Sequence, residues 1–200
     1  MTSSRLEAFS DGVFAIAITL LVLEFGVDTA THDLGKQLLH IWPSYFAYVT
    51  SFLTIGVIWV NHHALFGLVD HVDRGLLFLN TLLLLMVAFT PFPTRLIAEF
   101  LREGDNERTA ALAYGITFVI MSVLFQLLWR WMSTGRRLIR PDIPQEAIDD
   151  INRSYAPGIP IYAGATLVAL ASPVASIALY LAIALFYALP PSLYRRRQNA

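Results

Sequence analysis

Residues 154–194 read SYAPGIPIYAGATLVALASPVASIALYLAIALFYALPPSLY, 41 residues without Asp, Glu, Lys or Arg. An α-helix rises about 1.5 Å per residue, so as a single helix this run would measure about 60 Å, twice the hydrocarbon core of a bilayer. It must fold back on itself. Ser172-Pro173 lies near its middle, and proline disfavours helix in the residue before it. The run therefore predicts two short membrane helices, 157–171 and 173–190, joined by a very tight turn.

Outward from this hairpin the chain holds three more charge-poor stretches long enough to span: 38–63, 75–97 and 108–132. The first segment, 6–26, is the unusual one. Its apolar run Gly12–Leu23 is short and bounded by Asp11 and Glu24. A signal peptide wants basic residues ahead of such a run, whereas Glu7 and Asp11 precede this one. It spans if protein shelters Asp11. The reading is thus an all-α integral membrane protein, residues 1–200 forming one six-span domain. Composition agrees: 56% of residues are hydrophobic, 14% are charged, and mean hydropathy is +0.58. Soluble domains carry about 25% charge. Disorder is excluded, and the absence of cysteine excludes disulfides and thiol chemistry. A net charge of -1 gives no sign of nucleic-acid binding.

The basic residues set the orientation. With the N-terminus in the cytoplasm, the inner pieces hold Arg5, Arg74, Arg130, Arg136, Arg137, Arg140, Arg153 and Arg195 to Arg197, which makes 10; the outer ones hold Lys36, Arg95, Arg102 and Arg108, which makes 4. The positive-inside rule then expects both termini on the cytoplasmic side of a plasma membrane. In the long polar stretch 132–153, Asp142 is a candidate cap for a short helix carrying Ile143, Ile148 and Ile151 on one side. That helix is expected on the inner membrane surface, on a neighbouring subunit, or as a solvated linker. Pro91 and Pro93 are expected to terminate the third span, or to shape an outer vestibule.

On a helical wheel Ile16, Thr19, Leu20 and Leu23 form one stripe, and Asp11 lies roughly opposite Ile16. Arg5 and Asp11 are six residues apart, about 240° on an ideal helix, so they are not expected to pair. Partners for them are sought at Trp59, Asn61, His62 and His63 late in the second span, and at Asn80 in the third. Such a polar cluster either locks helices together or takes a direct part in gating or proton movement. Adjacent His62 and His63 diverge on a helix and make a poor metal site. No nucleotide loop, GxSxG or HExxH is present, so no enzyme and no cofactor are expected.

The segment Arg5-Leu6-Glu7-Ala8-Phe9-Ser10-Asp11 fits the pattern RxxxFSD, and Gly12-Val13-Phe14-Ala15-Ile16-Ala17-Ile18-Thr19 follows it. With six spans, a short final hairpin and an Arg-rich tail, this resembles the prokaryotic branch of the transmembrane protein 175 family of potassium channels. The Asn80…Phe89-Thr90-Pro91-Phe92 stretch is similar to the family's third span. The resemblance implies a homotetramer in the lipid bilayer, with the first helix lining a central pore and potassium as the permeant ion. It implies that Ile16 forms an apolar constriction, that Thr19 forms a polar layer, and that Leu20 and Leu23 continue the lining. It also implies that Arg5, Phe9, Ser10 and Asp11 belong to a motif and polar network behind the pore, with Trp59, His62 and Asn80. The sequence contains no TVGYG filter loop, so selectivity has to arise from partial dehydration at apolar and hydroxyl rings. Asp28 and Asp33 are candidate outer charges for concentrating cations, or simply solvated loop residues. The rival reading is a proton-coupled secondary transporter using Arg5, Asp11 and His62; the sequence has no inverted repeat to support it.

Overall fold

The computed structural model describes residues 3–25, 33–101 and 106–188. Asp28, Arg102 and Arg195 to Arg197 lie outside the described residues. Regular structure within them is helical, apart from one isolated antiparallel bridge, Val69 to Ile139. Helix α1 (Ser3–Leu20) tightens into a 3-10 turn over Leu21–Glu24; α2 is Leu34–His40 and α3 is Trp42–Phe66. The chain continues through α4 (Arg74–Phe89), α5 (Pro91–Phe100), α6 (Glu107–Ser133), α7 (Gln145–Tyr155), α8 (Gly158–Val168) and α9 (Pro173–Ala188). Among the described residues four helical stretches are long and apolar enough to cross a membrane: Ser3–Glu24, Trp42–Phe66, Arg74–Phe100 and Glu107–Arg136. The uncharged C-terminal run folds in its described part into the shorter pair α8 and α9, turning at Ala169–Ser172.

The prolines after Phe89 do not end the third span. They break it into α4 and α5, and the helix runs on to Phe100. Pro91 has no N–H to continue the ladder. The Val87 carbonyl accepts from Thr90 N at 3.2 Å instead, the Met86 carbonyl that this leaves takes the Thr90 hydroxyl at 3.0 Å, and the Thr94 hydroxyl donates to the Thr90 carbonyl at 2.9 Å. The Thr94 hydroxyl also lies 2.7 Å from that of Ser51, which is 3.1 Å from the Tyr114 hydroxyl. One buried hydroxyl chain thereby joins α5, α3 and α6.

The C-terminal pair is held on α6 by close approach. A Cβ on Gly115 would lie 2.6 Å from Thr166 Cγ2, so only glycine lets α8 come this near. The Thr166 and Tyr180 hydroxyls are 2.7 Å apart, and the Ser176 hydroxyl donates to the Ala165 carbonyl at 2.7 Å. In lipid, where apolar attraction between helices is weak, small residues and hydroxyl contacts of this kind fix helix pairs.

At the end of the bundle where α1 begins, a second apolar cluster gathers Leu6, Leu65, Phe66, Leu76, Leu128, Trp129, Leu138 and Ile148. Ile143 and Ile151 pack against it. Helix α7 packs its apolar side on its own bundle and leaves its polar side exposed, and Trp129 Nε1 donates to Asn152 Oδ1 at 2.7 Å. Its N-cap is Pro144 rather than Asp142, which instead lies 3.4 Å from Arg140. The bridge at Val69 and Ile139, with Asp70 N donating to the Leu138 carbonyl at 2.8 Å and Arg140 N to the Leu68 carbonyl at 3.0 Å, ties the two inner connections together.

Candidate functional site: the two faces of the first helix

Helix α1 buries Leu6, Ser10, Phe14 and Ala17, and Leu21 of the following 3-10 turn continues that face. The spacing of four, four, three and four keeps one side on α3 and α4. The opposite side is uncovered within the protomer. Phe9 is 55% exposed, Ile16 61% and Leu23 72%; Gly12, Thr19 and Leu20 are exposed beside them. The Thr19 hydroxyl donates to the Ile16 carbonyl at 2.9 Å. With its hydrogen committed to the backbone, the oxygen presents lone pairs only.

Glu7, Ser10 and Asp11 of α1 lie off this stripe and form two sets. In the first, Trp59 Nε1 donates to Asp11 Oδ1 at 2.8 Å, and His63 Nδ1 lies 2.8 Å from Glu7 Oε1. Glu7 and Asp11 are four apart on α1, as Trp59 and His63 are on α3, so two successive turns of each helix meet rung to rung. In the second set the hydrogens have a fixed direction. The Ser10 hydroxyl donates to the Leu6 carbonyl at 2.9 Å, and Asn80 Nδ2 donates to Ser10 Oγ at 3.0 Å. Asn80 Oδ1 must then accept from His62 Nε2, at 2.8 Å. His62 is thus held with its proton on Nε2. Ser10, His62 and Asn80 are fully buried, and the imidazole stacks on Phe66 with centroids 4.2 Å apart. Its Nδ1 has no partner among the described residues.

Of the residues singled out by sequence, the structure brings Ser10, His62 and Asn80 into one chain and Asp11 and Trp59 into one pair. Arg5 is exposed and joins neither. Asn61 turns the other way, where its Oδ1 accepts from the Tyr155 hydroxyl at 3.2 Å. The pairing of Glu7 with His63 was not anticipated, although the matched spacing of four on both helices carried the signal. In α5 Arg95 lies 2.7 Å from Glu99 and 3.9 Å from Glu24. Asp33 caps α2, accepting from Lys36 N at 3.0 Å, and pairs with the Lys36 ammonium at 2.8 Å.

Fold and site together define an α-helical integral membrane protein whose N-terminal helix carries an uncovered, mostly apolar face, braced from behind by a polar network. Comparison with known proteins specifies the family. The family described as "Endosomal/lysosomal potassium channel TMEM175" matches residues 5–91. A Streptomyces collinus protein named a potassium channel is 44% identical over 191 residues, covering 92% of this chain and 91% of that protein. The crystal structure of a "lysosomal potassium-selective channel TMEM175 homolog" from Chamaesiphon minutus aligns with TM-score 0.85 at 40% identity, over 94% of this chain and 96% of that one. A human relative, named an endosomal/lysosomal proton channel, is 33% identical over 140 residues, 64% of this chain and 28% of its own length. The chain belongs to the TMEM175 family.

Proposed function

We propose that the protein is a potassium-selective channel of a bacterial plasma membrane. Four copies place α1 around a common axis, each copy contributing six spans. The observation that carries this reading is the exposed stripe of α1. A span normally turns its apolar side to lipid or to its own bundle. This one leaves Ile16 and Leu23 largely exposed on the helix that has charged and hydroxyl groups fastened behind it. Four such stripes facing one another enclose a narrow apolar passage. Ile16 forms its constriction, Thr19 supplies a ring of oxygen lone pairs, and Leu20 and Leu23 line the outer part.

An apolar ring makes a cation shed part of its hydration shell, or dewets and closes. Potassium holds water less tightly than sodium, so the ring favours potassium. The four Thr19 oxygens return some of the lost coordination. No TVGYG loop takes part. The rival, a proton-coupled transporter acting through Arg5, Asp11 and His62, needs these groups in one site. Here Asp11 accepts from Trp59, His62 donates to Asn80, and Arg5 is exposed apart from both.

The test is ion flux into liposomes holding the purified protein, with potassium, sodium or protons as the driven ion. Passive potassium flux is expected, and Ile16→Asn is expected to raise it while reducing discrimination against sodium. Flux that requires a proton gradient and ignores Ile16 would transfer the function to the polar network.

A further inference from the structure

Four of the arginines at the inner end have protein partners. Arg137 lies 3.2 Å from Asp73, Arg140 3.4 Å from Asp142 and Arg153 2.8 Å from Asp150, while Arg136 donates to the carbonyls of Arg140, Pro141 and Ile143. Arg74 and Arg130 are different. Both are exposed, and neither has a hydrogen bond or ion pair among the described residues.

These two come from neighbouring helix ends. Arg74 opens α4 and Arg130 is in the last turn of α6. The ends are clamped at Trp131, whose ring lies so close to Gly75 that a Cβ there would sit 2.2 Å from it. The indole N–H donates to Asp73 at 3.0 Å, and the Arg137 guanidinium stacks 4.4 Å over the ring. Asp73 and Arg137 are thus paired with each other, and Arg74 and Arg130 extend from the clamped ends unpaired. One turn toward the membrane from each arginine stands an exposed apolar side chain: Phe78 at i+4 from Arg74, Leu127 at i−3 from Arg130. Cations on two adjoining helix ends, each over an apolar side chain and beside an indole, have the vertical order of a phospholipid: headgroup above, acyl chain below.

The geometry points to a binding site for the phosphodiester headgroup of an anionic glycerophospholipid on the α4–α6 face, held by Arg74 and Arg130. The complementarity is of charge and of depth: two unpaired guanidiniums at the membrane end, with apolar surface beneath them for the chains. Guanidinium meets phosphate in a bidentate manner that an ammonium does not reproduce.

The assembled protein, purified and exchanged into an equimolar mixture of phosphatidylglycerol and phosphatidylcholine, is released intact into a mass spectrometer and its retained lipids are counted. The wild type is expected to retain phosphatidylglycerol preferentially. Arg74→Gln and Arg130→Gln are each expected to reduce that preference about five-fold. Arg153→Gln, a control at the same end, leaves it unchanged. A preference that survives the double variant Arg74→Gln/Arg130→Gln overturns the site. So does equal displacement of the lipid by millimolar inorganic phosphate, which would mark a general anion site. If the double variant does not assemble, the wild type still decides: its preference must fall steeply between about 0.1 and 0.5 M salt, as charge screening requires. A preference indifferent to salt refutes the assignment.

Discussion

The buried chain from His62 through Asn80 to Ser10 makes a quantitative prediction because its hydrogens have one direction. Asn80→Leu removes the acceptor of His62 Nε2–H and leaves that donor unsatisfied in a fully buried position. Ser10 loses little, since its own hydrogen still goes to the Leu6 carbonyl. A stranded buried donor costs about 1–3 kcal/mol. His62→Phe strands the Asn80 carbonyl oxygen instead, with a cost in the same range, and keeps an aromatic ring near Phe66. The double variant His62→Phe/Asn80→Leu strands neither group. It is therefore expected to be more stable than the sum of the two losses. Measured couplings between polar side chains within membranes run from about 0.6 to about 1.7 kcal/mol, and the interaction should lie there. Unfolding free energies of the four proteins in mixed micelles, titrated with a denaturing detergent, give the cycle. Strict additivity would show that His62 and Asn80 do not share a hydrogen bond, and the inferred proton position on Nε2 would fall with it.

Gly75→Ala pushes a methyl group into the Trp131 ring and is expected to destabilise the protein by about 1–3 kcal/mol, the usual cost of overpacking. The same change in a Trp131→Leu background should cost far less; an equal cost in both backgrounds would place the clash elsewhere. Asp73 gives a pH prediction outside the membrane. Partial burial pushes its carboxyl up, but the Leu76 N–H, the Trp131 indole and Arg137 outweigh that and hold it below its ordinary value of 3.8. Its stabilising contribution is therefore complete above that value and is lost as the pH falls through the lowered one. Stability measured from pH 5 downward should fall more steeply in the wild type than in Asp73→Asn, by a small amount because the carboxylate is partly exposed.

Much of this arrangement could be read from residue spacing. The period of 3.6 put Ile16, Thr19, Leu20 and Leu23 on one stripe with Asp11 turned away, and these are the exposed residues and the braced carboxylate of α1. The uncharged run after Arg153, with a proline at its middle, allowed nothing but a return. What periodicity could not supply was register between helices. Glu7 meets His63 because α1 and α3 run antiparallel with a particular offset, and either helix alone is silent on that offset. Pro91 and Pro93 were expected to stop a helix, but the Thr90 N–H turns to the Val87 carbonyl, the Thr90 hydroxyl takes the Met86 carbonyl, and the span continues as α5. Helix α7 reads as amphipathic under any of its expected placements. The apolar surface left by Leu128, Trp129 and Leu138 seats it instead on its own bundle.

The polar ties of α1 are crowded at its inner end. Ser10 and the Glu7 and Asp11 rungs fasten that half to α3 and α4. From Gly12 to Leu23, among the described residues, the only side-chain hydrogen bond is that of Thr19 to its own backbone. From Gly12 to Leu21 the helix rests on its bundle through Val13, Phe14, Ala17, Ile18 and Leu21; past it Glu24 lies 3.9 Å from Arg95 and Phe25 packs on Tyr45 and Tyr48. Directional bonds define a position, whereas dispersion contacts accept small slides at little cost. The first helix is thus held at both ends, by directional bonds at Glu7, Ser10 and Asp11 and by Glu24 and Phe25 at the other, with only apolar contacts between. A slight bow leaves both ends in place and is largest between them, so that Ile16 moves further than Phe9 or Leu23.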